Sequence, residues 1–159
     1  MVRLSLVFYI PINKLAPKFG KRKLILGAFG IFALSYLYTG FLGKISVISP
    51  NVQGLILMVT ASLPMAVFGI LPQAVVADIA QSDAKRTGSN REGMFYAART
   101  FAFKLGQSLS MLLFTAISTI GGTAGTGYRI AAFLAAAFCL LGGILFLFYN
   151  ENKINQDIL

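Results

Sequence analysis

Residues 24–43, LILGAFGIFALSYLYTGFLG, run for 20 residues without a charged side chain. A hydrocarbon core about 30 Å thick takes about 20 residues of helix, so this run reads as one complete membrane crossing. A second charge-free stretch covers residues 45–77 and is too long for one simple span. Ser49-Pro50-Asn51 supplies turn chemistry near its start, which places the helix at about residues 52–77, tilted or bent at Pro64 and Pro72. A third span is expected at about residues 93–118, with Arg99 and Lys104 inside it, and a fourth at about 128–149. Between them GGTAGTG, residues 121–127, reads as a short flexible hairpin. Ahead of all four, residues 4–12 in MVRLSLVFYIPI make about half a span and read as the last turns of a helix. A secretory signal is the other reading of that stretch, but no small-x-small cleavage site follows it.

The composition agrees. Of 159 residues, 57% are hydrophobic and 12% charged, where soluble chains run at about half and about a quarter. The charge deficit excludes a well-solvated surface, and the expected fold class is all-α: a polytopic membrane protein with four full transmembrane helices plus a partial N-terminal one. With no His, no Trp and the single Cys139, no disulfide framework, Cys or His metal motif, or Ser/His or Cys/His nucleophile pair can be written. Enzyme chemistry is therefore not expected, nor is a cofactor. The net charge of +9 comes from basic residues set between apolar runs rather than in one aromatic-interleaved stripe, so the lipid bilayer is the expected partner and nucleic acid is not.

Orientation follows from Lys and Arg. The segment before the first full span holds Lys14, Lys18, Lys21, Arg22 and Lys23; that between the second and third holds Lys85, Arg86 and Arg91; the tail adds Lys153. The opposite side has only Lys44 and Arg129. Basic segments face the cytoplasm, so the C-terminus is expected inside and the 121–127 hairpin outside.

Lys104 stands out chemically. It lies about 11 residues into the third span, roughly 16 Å along the axis and near mid-membrane, where a charge is costly and needs a partner or water. At about 100° per residue, Tyr96, Thr100, Lys104, Gln107, Met111, Thr115 and Ser118 share about a third of the helix circumference. A polar stripe centred on a lysine reads as the wall of a water-filled cavity; snorkelling to an interface or pairing with a carboxylate is the alternative. Arg99, nearer the cytoplasmic end, fits snorkelling at least as well. In ADIAQSDAKRTGSNREG, residues 77–93, Ser89 and Glu92 match a capping box, which starts the third helix near Asn90. Asp78, at the cytoplasmic end of the second span, can meet Arg91, Arg86 or Arg99 and hold helices together in one state of a moving structure; a solvated turn is the plainer reading. Gly27 and Gly30, Ala132 and Ala136, and Gly142 and Gly143 are small-residue positions that permit close helix approach.

At these segments the chain resembles a known family. NKLAPKFGKRK, residues 13–23, is similar to the signature loop that major facilitator superfamily (MFS) transporters carry after their second and, in weaker form, their eighth helix. More specifically, Thr87-Gly88, Arg91-Glu92-Gly93-Met94-Phe95-Tyr96, Arg99-Thr100-Phe101 and Lys104-Leu105-Gly106-Gln107 resemble the helix-ten-to-eleven region of the glycoside-pentoside-hexuronide cation symporters, the melibiose carrier group. Gln81 stands where that group usually has an acid, Asn90 where it often has a basic residue, and Pro17 at the acidic position of the loop signature.

The resemblance implies part of the C-terminal bundle of a major facilitator fold, from the tail of helix eight to helix twelve, and symport of a sugar, glycoside or related small solute with sodium or protons by alternating access. It places Lys104 at the central cavity and Asp78, Arg91 and Glu92 at a cytoplasmic gate; with the spacing on the helix, Thr100, Gln107, Tyr96 and Met111 are then expected to line the cavity and Arg99 to belong to the gate. It also implies missing partners: the N-terminal helices, which in this family supply most of the cation-coordinating carboxylates. The chain is thus expected to be the C-terminal part of a carrier in the cell membrane, not transport-competent alone. An intact four-span scaffold or partner subunit is the competing expectation.

Overall fold

The computed structural model describes residues 19–42, 49–120 and 125–158. The partial span at 4–12, most of the 13–23 loop signature and residues 121–124 of the hairpin lie outside these. Every regular element among the described residues is helical: α1 (Lys21–Phe41), α2 (Pro50–Thr87), α3 (Glu92–Ser118), α4 (Thr126–Phe146) and α5 (Glu151–Ile158). The first four are each long and apolar enough to cross a membrane. That agrees with the charge-free runs, because in lipid a helix satisfies its backbone groups internally.

Three helix ends depart from the expected spans. α2 starts on Pro50, at the first turn where its missing N–H costs nothing, and runs unbroken through Pro64 and Pro72 to Thr87. Its 38 residues reach about 57 Å at 1.5 Å each, well beyond a hydrocarbon core of about 30 Å. Residues 78–87, expected as connecting chain, are its projecting last turns. The helix stops at Gly88, which takes φ +70 and returns its N–H to the Ala84 carbonyl at 2.9 Å, a left-handed cap that glycine adopts without strain. α3 then begins at Glu92 rather than near Asn90. The Ser89–Glu92 capping box does not form: Asn90 Oδ1 accepts the Glu92 N–H at 3.1 Å, while Ser89 Oγ accepts from Arg91 Nε at 3.2 Å. α4 ends at Phe146, so Tyr149 lies beyond it.

α1 sits at the centre, packed against α2 on one side and α4 on the other. Ile25 and Ala28 of α1 meet Ala66, Val67, Leu71 and Val75 of α2 in the buried core. An aromatic run continues it: Phe68 meets Phe29 edge-on at 4.7 Å and stacks on Phe32 at 5.6 Å. Small residues bring α1 and α4 together, since a Cβ on Gly142 would fall 2.9 Å from the Phe29 ring and one on Gly40 would fall 2.8 Å from Phe133. Ala132 and Ala136 are buried as expected of a close-approach face. Gly27 and Gly30 are not part of it, because their Cβ positions face open space; they lie on the far side of α1 from the core.

α3 is peripheral. It touches α4 and α2, yet none of its 27 residues is buried. Its tightest contact is at the turn into α4, where a Cβ on Gly127 would meet the carbonyl oxygens of Ile117, Ser118 and Ile120 at 2.4 to 2.9 Å. α5 folds back along the projecting end of α2.

Candidate functional site

Lys104 is the thirteenth of the 27 residues of α3, at the middle of the helix. Thr100, Lys104, Gln107 and Met111 are all exposed, and Tyr96 is half-buried. The hydroxyls along the stripe donate to carbonyls of the same helix: Thr100 to Tyr96 at 2.8 Å, Thr115 to Met111 at 2.9 Å, Ser118 to Thr115 at 3.0 Å. Such back-bonding satisfies each donor inside the helix and leaves oxygen lone pairs available on the surface. Lys104 has no such outlet. Of the five Asp and Glu side chains, Asp78 and Asp83 lie in the last turns of α2, Glu92 at the start of α3, and Glu151 and Asp157 on α5, and none of them pairs with Lys104 among the described residues.

Half-buried residues of α3 are Tyr96 and Ser118, at the two ends of the stripe, and a seam of Phe95, Arg99, Leu113 and Ile117. At about 100° per residue this seam lies roughly 120° around the helix from the stripe. The four helices therefore leave the middle of the stripe open, from Thr100 through Lys104, Gln107 and Met111 to Thr115. Arg99 belongs to the packed seam instead.

A cleft of about 580 Å³ opens between α1, α3 and α4, toward the ends of the helices away from the basic segments; Tyr36, Thr39, Ser110, Phe114, Tyr128 and Cys139 line it, with mostly apolar neighbours. Ser110 and Phe114 reach it from the edge of the stripe, but none of the five stripe residues singled out from the sequence does.

The charged residues form a second cluster, at the end where α1 begins and α2 and α4 finish. Asp78 pairs with Lys21 Nζ, not with Arg86, Arg91 or Arg99 as the spacing suggested. The reason is geometric: α2 stays helical past Asp78, which carries Arg86 about 12 Å along the axis, while the first turn of α1 lies alongside. Both partners are largely covered, with 28% and 19% of their side chains exposed. Glu92 is exposed on the first turn of α3, where its charge favours the helix N-terminus. Arg91 is exposed, and its Nε donates to Ser89 Oγ.

Glu151 completes the cluster and carries no signal in the sequence, being about 130 positions from its partners. Its two oxygens accept the backbone N–H groups of Lys21 and Arg22 at 2.8 and 2.9 Å. The N-cap residue Gly20 has no side chain to do this. Its φ of +84 and the 3.1 Å between its missing Cβ and Glu151 Oε2 both suit glycine. Beside this carboxylate and Asp78, burial first and the two negative charges second push the Tyr149 phenol up to about 12.

A family model described as MFS/sugar transport protein matches residues 1–153. Neither the curated proteins nor the solved structures compared contain a match.

Proposed function

Because the chain belongs to the MFS/sugar transport protein family, we propose that its four spans are the carboxy-terminal part of a sugar or glycoside symporter coupled to sodium or protons. In this reading the basic ends of α1, α2 and α3 and the C-terminus face the cytoplasm of a cell membrane, and the α3 stripe faces the solute path. The observation that carries it is Lys104: a mid-helix cation in the exposed middle of a polar stripe. A charge at that depth is tolerated where it faces water or a bundle interior. Two-bundle carriers supply such an interior at the midplane between their halves. With the Asp and Glu side chains of α2 and α3 confined to the last turns of α2 and the first turn of α3, the coupling cation is bound by helices other than these four, and Lys104 acts on solute or on a carboxylate contributed from across the path. Asp78 with Lys21, and Arg91 with Glu92, hold the cytoplasmic side closed in one state of the cycle.

Uptake of labelled glycosides and hexuronides into vesicles tests this, with the chain assembled with its amino-terminal bundle and an imposed sodium or proton gradient. Lys104→Ala is expected to cut gradient-driven accumulation at least tenfold, the scale of one lost charge-assisted contact at about 1.4 kcal/mol per decade. Accumulation that ignores both the gradients and Lys104→Ala would overturn the reading.

A further inference from the structure

We infer that α5 is a strap: through Glu151 it locks the starting turn of α1 to the ends of α2 and α4, and it must let go before α1 can move against α2 at this end of the bundle. Three contacts meet there, and a fourth holds the other end of α5 to α2. Glu151 caps the Lys21 and Arg22 amides of α1 with both oxygens. The Lys21 side chain continues to Asp78 of α2, and the Arg22 guanidinium donates to the Leu147 carbonyl at the end of α4. At the far end of the strap Asp157 accepts from Ser82 Oγ of α2 at 3.0 Å, with Ile154 half-buried between the two acids.

The arrangement is a strap rather than ordinary end packing because α1 has no cap of its own. Its N-cap is Gly20, whose backbone is left-handed and whose side chain is absent. Helix N-termini hold orphan N–H groups and partial positive charge, and a carboxylate accepting two of them is the strong form of the bond. Removing Glu151 therefore leaves both amides of α1 uncapped at once, with Lys21 and Arg22 held through their side chains by Asp78 and Leu147. The inference concerns the mechanics of these helix ends and stands whether or not the chain carries solute.

Hydrogen exchange on the protein in lipid nanodiscs tests it, with Glu151→Ala, the milder Glu151→Gln and a chain ending at Asn150. A paramagnetic pair at the exposed positions Lys23 and Arg86 gives an independent distance. In Glu151→Ala the Lys21 and Arg22 amides are expected to exchange about tenfold faster, the size of a lost helix cap, while residues 28–33 of α1 keep their protection. Glu151→Gln falls between, the truncation matches or exceeds Glu151→Ala, and the 23–86 distance distribution broadens in the same order. Unchanged protection at Lys21 and Arg22 would overturn the strap. So would loosening spread evenly along α1, which would make Glu151 a general stability residue.

Discussion

Gly127→Ala sets two effects of known size against each other. Alanine in place of glycine within a helix gains about 0.8–1 kcal/mol of intrinsic propensity. Against this, the added methyl at Gly127 would lie 2.4 Å from the Ile117 carbonyl oxygen, 2.7 Å from Ser118 and 2.9 Å from Ile120. All three are backbone atoms at the end of α3, so no rotamer change relieves the clash. α4 must shift by about 1 Å to reach ordinary contact distance, and overpacking of this kind costs about 1–3 kcal/mol. The net expectation is a loss of about 0–2 kcal/mol, or a Tm up to about 8 °C lower for a chain of this size. Gly27→Ala is the matched control. It is also helical, but its Cβ meets nothing within 4 Å, so only the propensity gain remains and Tm should hold or rise by up to about 4 °C. Thermal unfolding of both variants in one detergent, followed by helical circular dichroism, reads the difference. Equal Tm values for the two would refute the close approach of α4 to the end of α3.

Other expectations concern the charged end. Lys21→Met and Asp78→Asn should each cost about 1 kcal/mol, and the double variant little more than either. A double-mutant cycle then reads a coupling of about 0.5–1 kcal/mol, in keeping with a pair only partly withdrawn from water. Tyr149 titrates near 12 in the folded chain against 10 for a free phenol. The raised value means the folded state holds this proton longer than the unfolded one, so its contribution is intact below pH 10 and is lost as pH climbs toward 12. Tyr149→Phe should flatten the stability curve across that window. At neutral pH it should cost little, since the phenol oxygen is buried with no hydrogen-bond partner among the described residues. An alkaline limb unchanged in Tyr149→Phe would assign that loss to other groups.

Membrane crossing was legible because it depends on composition over some 20 residues, which sequence displays directly. The four apolar runs became α1 to α4. The ends were less legible, since a span is bounded by polarity and a helix by backbone caps. Residues 78–87 are polar and were read as connection, yet they contain good helix formers and run to Gly88, the residue that a left-handed stop requires. Asn90 displaced the capping box because a side chain two positions ahead of Glu92 reached its N–H directly.

Partners distant in the chain could not be read at all. Small residues flag faces that allow close approach but not which face is used: Gly142 and Gly127 are in tight contact, whereas Gly27 and Gly30 face open space. Asp78 had plausible cations nearby in sequence, but its partner Lys21 arrives from another helix. Glu151 was invisible for the same reason. The α3 stripe, by contrast, is a property of a single helix, and its periodicity alone gathers Tyr96, Thr100, Lys104, Gln107 and Met111 on one side. What helical periodicity leaves out is the environment that side faces.

That environment is open to direct measurement by thiol labelling. In a Cys139→Ala background, single cysteines at Thr100, Lys104 and Gln107 sample the stripe, while Phe101, Leu105 and Leu109 sample the opposite side of α3. The second set is exposed by 67%, 55% and 59%, so bare accessibility does not separate the two; only water does. A membrane-impermeant thiol reagent should modify the stripe positions at least tenfold faster than the others in native membranes, and saturating transported solute should slow it. Equal rates on both sides of α3, or a stripe that labels no faster than Leu105, would mean that Lys104 does not face an aqueous path and would contradict a transport role for this helix.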